Sequence, residues 1–194
     1  MYKRENLYGT YSGSRGERSW VSVFRIQSNG YRQPFVTGIT NATSMAFSPE
    51  GQLYVSSRFE GCVYRVSRDG SYEAVVSELG VACGIAFNDD GTMYVGDRSG
   101  TIFRVSMSGH ATAFATLPPS IAAFHLAFGE GGYLFASAPT LSSSDSVFRI
   151  DPTGIVESLK STFGRGLGLG VDCLGVLHVV ESLAGNSGIY QLAN

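Results

Sequence analysis

The chain has 194 residues, of which 43% are hydrophobic and only 15% charged, with 25 glycines and a formal net charge of −2 at pH 7. This composition excludes disorder and fits one turn-rich, soluble β domain, and the near-neutral charge removes any electrostatic reason to expect nucleic acid or an anionic membrane as partner. No apolar run reaches the roughly 18 residues of a membrane span, and Met1-Tyr2-Lys3-Arg4-Glu5 does not begin a signal peptide.

In chain order, Leu7-Tyr8 is a first short β-type run, followed by a long polar stretch, Gly9–Ser19. Val23-Phe24-Arg25-Ile26 comes next and is closed by the turn Ser28-Asn29-Gly30. A four-run unit then begins at Ser44-Met45-Ala46-Phe47 and continues through Leu53-Tyr54-Val55 and Val63-Tyr64-Arg65-Val66. The clearest copy is Gly84–Val105, GIAFNDDGTMYVGDRSGTIFRV, with a fourth run at Ala111–Thr116. Its turns, Asn88-Asp89-Asp90-Gly91 and Asp97-Arg98-Ser99-Gly100, carry the residues that tight turns need. Two more copies follow, through His125–Phe128, Leu134–Ala136 and Val147–Ile150, then Gly168–Val171, Leu177–Val179 and Ile189–Leu192.

The third run starts at Val23, Val63, Ile102, Val147 and Ile189, in steps of 40, 39, 45 and 42 residues. Four short antiparallel strands in about 40 residues is the size of one β-propeller blade. The predicted fold is therefore all-β, a propeller of four-stranded blades occupying residues 1–194 as one domain. Five blades are visible, three complete and two partial, and eighteen strands are expected. The chain opens on a second strand and closes on a third, so the incomplete end blades predict exposed edges or a gap in the ring. On this reading the domain is N-terminally incomplete and part of a six-bladed ring, and an upstream segment is where a targeting signal would sit.

Because consecutive strands alternate in direction, the first–second and third–fourth connections share one face, the bottom. These are uniformly tight. The second–third and fourth–first connections share the top, and several are long: Gly9–Ser19, Leu117–Phe124, Ser137–Ser146 and Glu181–Gly188. Loops held by a rigid scaffold are where binding residues collect, so a site is expected on top.

Ligand-binding candidates there are Arg58, Asp97, Arg98, His125, Arg165 and Glu181. The forked guanidinium groups of Arg58, Arg98 and Arg165 suit a carboxylate or phosphate. The alternative is that they pair with Glu60, Asp97 or Glu181 between blades. His125, beside the central channel, is the candidate general base, or a histidine bonded to backbone in the blade interface. Cys83 reads as a small buried residue. Cys62, Cys83 and Cys173 lack CxxC spacing, so reduced thiols in a cytoplasmic protein are expected. Arg25, Arg65, Arg104 and Arg149 recur once per blade and read as scaffold. His110 and His178 have no ligand partner at useful spacing.

GIAFNDDGTMYVGDRSGTIFRV and its copies resemble the repeats of NHL-type propellers and of the SMP-30/gluconolactonase-like group, over nearly the whole chain from Leu7 to Leu192. The resemblance implies a propeller and leaves two functions open. One is a module that binds a small polar or anionic molecule, or a protein, through its top loops. The other is a metal-dependent lactonase or esterase holding a divalent ion, often calcium, near the start of the inner strands. The matching positions here are Thr43, Cys83, Phe124 and Leu167, which are not the oxygen-rich side chains a hard cation prefers, so no metal ligand is assigned.

Overall fold

The structure is a computed structural model and describes residues 6–120, 124–140, 147–159, 166–183 and 186–192. Its first blade consists of β1 (Leu7–Thr10), β2 (Val23–Ile26) and β3 (Arg32–Val36). The second is β4 (Ala42–Phe47), β5 (Leu53–Ser57), β6 (Cys62–Val66) and β7 (Tyr72–Val76). The third is β8 (Ala82–Phe87), β9 (Met93–Asp97), β10 (Thr101–Val105) and β11 (Ala111–Thr116). The fourth is β12 (His125–Phe128), β13 (Leu134–Ser137), β14 (Val147–Ile150) and β15 (Val156–Leu159). The fifth is β16 (Gly166–Val171), β17 (Leu177–Leu183) and β18 (Asn186–Leu192). Each blade is one antiparallel sheet in sequence order, and the five stand radially in a ring, a β-propeller. Among the described residues the helical structure is a single short 3₁₀ turn at Glu130–Gly132.

Blades are joined by repeated contacts. Tyr8 of the first blade meets Phe47 of the second with ring centroids 5.5 Å apart. Tyr54 meets Phe87 at 4.9 Å, and Tyr94 meets Phe128 at 5.1 Å, each one blade further round. In the next joint Phe135 fills the tyrosine position, and Val171 takes the place of the phenylalanine in the same apolar cluster. Four such clusters fill the four spaces between consecutive blades. The first and fifth blades share no cluster among the described residues, and Leu7 and Ile189 on them are 72% and 71% exposed.

A second joint lies on the bottom face. Gly70, Gly109 and Gly154 sit at φ +87, +81 and +94 in successive third–fourth turns. A Cβ on any of them would collide with a backbone carbonyl of the preceding blade's outer strand, that of Phe35, Val75 or Phe114. Gly30 holds the same place in the first blade at φ +80, with open space around it.

Two features differ from the sequence reading. The inner strands β4, β8 and β16 begin about two residues earlier than their apolar runs, through a register shift that pairs Ala42 with Ser57, Ala82 with Asp97 and Gly166 with Glu181. The stretch Glu181–Gly188, expected to be a long top loop, is instead the end of a hairpin in which Glu181 pairs with Gly188 and Leu183 with Asn186. Glu181 is thus a strand residue.

The per-blade arginines do serve the scaffold. Each lies opposite a fourth-strand residue: Arg25 donates to Gln33 at 2.6 Å, Arg149 to Glu157 at 2.6 Å, and Arg65 pairs with Glu73. The two ion pairs are exposed and contribute little to stability each. His178 on β17 lies 2.9 Å from Asp172. Asp172 also accepts the amides of Leu174 and Val176 in its turn, and the His178 contact first, then these two bonds, hold its carboxyl below the usual range.

The turn glycines give a comparative test. Gly30→Ala should cost about 1 kcal/mol from the left-handed backbone alone. Gly109→Ala adds the collision with Val75 and should cost at least about 1 kcal/mol more. Urea unfolding of the two variants measures the difference, and equal costs would mean that the blades do not meet at this turn.

Candidate functional site

The top-face cleft lies between the first three blades, has a volume of about 340 Å³, and is lined by Arg15, Asn41, Arg58, Phe59, Gly80, Val81 and Arg98. Its framework begins with Asn41, which is fully buried and takes φ 48, a left-handed conformation that asparagine tolerates better than most residues. The Asn41 amide donates to the Ser14 carbonyl at 2.7 Å and to that of Ser12, while its oxygen accepts the Gly16 amide at 2.7 Å. One buried side chain therefore holds residues 12–16 of the long first-blade loop and carries Arg15 to the cleft. Glu17 accepts the Ser14 amide at 2.7 Å, and Arg18 donates to the Gly38 carbonyl at 2.8 Å. Of the charged residues in this loop, Arg15 is left to the cleft.

Arg58 and Arg98 follow β5 and β9 at matching places in adjacent blades. Their backbone amides donate to the carbonyls of Asn41 at 3.3 Å and Val81 at 3.2 Å. The Arg98 side chain also donates through Nε to the Ser120 carbonyl at 3.1 Å, which fixes its base at the blade edge. Neither guanidinium forms an ion pair among the described residues. The expected carboxylate partners are occupied elsewhere. Glu60 accepts the Tyr64 hydroxyl at 2.9 Å, and Asp97 accepts the Val81 amide at 2.7 Å and the Ser99 hydroxyl. Asp97 is buried beneath Gly80, where a Cβ would lie 3.0 Å from its Oδ1.

Cys83 lies below this cluster, buried, with its thiol donating to the Val81 carbonyl at 3.2 Å. Burial is the main cause that pushes the thiol up to about 11, with smaller contributions from Asp97, which raises it, and Arg58 and Arg98, which lower it. The thiol is neutral at pH 7 and no nucleophile. Cys62 and Cys173 are also free, the first buried and the second exposed.

Two other candidates, His125 and Glu181, do not line the cleft. His125 stands half-buried on the inner strand β12, opposite Ser137, and makes no hydrogen bond among the described residues. The Ser137 hydroxyl is itself buried without a hydrogen-bond partner among the described residues. Burial alone lowers the His125 pKa, so the ring is neutral at pH 7. Glu181 is buried on β17 and interacts with Tyr190, whose hydroxyl it holds protonated to higher pH. Arg165 and the serine run Ser142–Ser144 with Asp145 lie outside the described residues.

The structure thus brings Arg58 and Arg98 together, sets Asp97 behind them, and adds Arg15, Asn41 and Phe59. Sequence reasoning missed Arg15 and Phe59 because neither repeats in phase. Among the described residues no three His, Cys, Asp or Glu side chains converge as a metal site, and no helix is long and apolar enough to cross a membrane.

No protein-family model matches the chain, and no curated protein sequence does either. Solved structures share the fold. A gluconolactonase from Xanthomonas campestris superposes with a TM-score of 0.70 at 19% identity, covering 86% of this chain and 64% of that one. Virginiamycin B lyase from Staphylococcus aureus gives 0.65 at 13% identity, covering 98% of this chain and 71% of the lyase. A streptogramin B lyase gives 0.64 at 13%, with 89% and 61% covered. At these identities the likeness is one of fold.

His125 supplies a test of this burial. Its folded pKa lies below the unfolded value near 6.5, so the unfolded state binds more protons between the two. Stability should be fully present above about pH 6.5 and fall as pH drops through that window. In His125→Gln the urea midpoint should fall less over the same range; identical slopes would show that the ring is solvated.

Proposed function

We propose that this propeller is a ligand-binding module whose top-face cleft takes a small anion through its carboxylate or phosphate group. The observation that carries this reading is charge. Arg15, Arg58 and Arg98 line one cleft that has no acidic lining residue, in a chain whose net charge is −2. Three gathered cations repel one another, and a shared anion relieves that repulsion while accepting charge-assisted hydrogen bonds. The adjacent carboxylate, Asp97, is buried beneath Gly80 outside the cleft lining, accepts the Val81 amide and the Ser99 hydroxyl, and forms no ion pair with these arginines among the described residues.

A second reading, hydrolysis of a lactone or ester, is supported by the fold shared with a gluconolactonase. A divalent metal in the channel would need oxygen ligands where the inner strands begin. The residues present do not fit that need. Thr43 donates its hydroxyl to the Asn41 carbonyl, Cys83 presents a protonated thiol, and Phe124 and Leu167 have no donor atom in their side chains. The oxygen-bearing side chains nearby, Asn41 and Asp97, are hydrogen-bonded to backbone. The binding reading is therefore preferred, and no metal step is assigned.

Calorimetric titration with gluconate and with inorganic phosphate tests the proposal. At least one should bind saturably, more weakly as salt rises. Arg58→Ala should weaken binding by about tenfold or more, since one charge-assisted hydrogen bond is worth roughly 1.5–3 kcal/mol. Arg98→Ala should do the same, and because the Arg58 side chain makes no bond among the described residues and stands beside two other cations, the urea midpoint of Arg58→Ala should not fall below the parent value. Failure of both anions to bind, or unchanged affinity in the two variants, would overturn the reading.

A further inference from the structure

We infer that the anion taken by this cleft carries a planar or aromatic ring, and that Phe59 is the side chain that selects it; this rests on the anion reading above. Phe59 belongs to the connection between β5 and β6, Arg58-Phe59-Glu60-Gly61, which is one residue longer than its counterpart in the third blade, Arg98-Ser99-Gly100. The extra length places a phenylalanine on the top surface at a position the repeat does not require. In-phase aromatic residues such as Tyr54 and Phe87 are consumed by the joints between blades. Phe59 is out of phase and stays 54% exposed while lining the arginine cleft.

Its ring is nonetheless held. It rests over the backbone of Gly16, where a Cβ would lie 3.2 Å from the ring edge, and φ +78 at Gly16 suits glycine. The Gly16 amide in turn is bound to the buried Asn41 side chain. One part of the ring is therefore backed by a fixed piece of chain, beside Arg15, and the rest is open. A fixed, half-open aromatic surface beside cations recognises a ligand with charge at one end and a flat apolar body at the other. Ring–ring contact rewards that body, and the arginines hold the charge. A cleft of about 340 Å³ has room for one ring with its acidic group. A saturated sugar acid would fill the same charge site while leaving the ring uncovered.

The comparison of phenyl phosphate with methyl phosphate isolates the ring, because both present the same charged group. Calorimetry on the full chain should show phenyl phosphate binding about tenfold more tightly. Phe59→Ala should bring phenyl phosphate down to the methyl phosphate level and leave methyl phosphate unchanged, while Phe59→Tyr should keep the preference. Arg58→Ala should weaken both ligands alike. Equal affinities in the parent would overturn the aromatic inference and leave the anion reading standing. Equal losses of both ligands in Phe59→Ala would overturn it too, by showing that the ring only steadies the Arg15 loop. If neither ligand binds, the anion reading fails along with it.

Discussion

A sheet must bury its apolar faces against other elements, so each blade here depends on being covered by the next. The covering contact is specific. A second-strand aromatic of one blade meets the phenylalanine that ends the next blade's first strand, and a bottom-face glycine lets the next turn close onto the previous outer strand's carbonyl. Between them lie side chains with almost no exposure, among them Val55, Ile102, Leu134 and Ile150. Removing a large buried side chain at such a joint costs on the order of 2–5 kcal/mol in other proteins, and each joint also sets the angle between two blades. The period of the sequence is the imprint of this joint.

The same constraint explains what the sequence reveals. Apolar and aromatic residues in phase, such as Tyr54, Tyr94 and Phe135, must face a neighbouring blade, and so the strand count, the sheet order and the tight bottom turns were legible. The register shifts at the start of β4, β8 and β16 were not. There the pairing depends on polar residues whose hydrogen-bonding partners lie across the bulge, as when the Ser44 amide donates to the Ser56 hydroxyl. The extension of β17 and β18 past Glu181 was hidden for a related reason. Serine, glycine and asparagine in that stretch read as loop, yet they pair because two already aligned strands continue into them.

The site was half legible. Arg58 and Arg98, at matching places after β5 and β9, line one cleft, because equivalent positions in adjacent blades lie in the same region. Arg15 could not be told from Glu17 and Arg18 by spacing. The choice among them is made by Asn41, through three hydrogen bonds to a loop more than 20 residues away in sequence. His125 and Glu181 sit on strands in other parts of the ring, where they meet different neighbours.

Why the cleft arginines remain without carboxylates follows from how the scaffold uses its polar side chains. On the outer strands an arginine faces its partner directly across a paired register, as Arg65 faces Glu73 and Arg149 faces Glu157. Arg58 and Arg98 lie in connections, where no paired strand offers an opposite residue. The acidic or hydroxyl group just before each of them is already committed to the chain leading into the inner strand. Ser57 donates to the Thr40 carbonyl at 2.6 Å, and at the equivalent place Asp97 accepts the Val81 amide at 2.7 Å. The two blades close the same contact with opposite hydrogen-bond polarity, so the chain entering each inner strand is satisfied in either case. In the third blade this solution buries a carboxylate beside Arg98 without joining it to the guanidinium. The two oxygens of Asp97 accept the Val81 amide and the Ser99 hydroxyl, and it forms no ion pair with Arg98 among the described residues. The fold therefore keeps its negative charge for the backbone and presents its positive charge to whatever enters from the top.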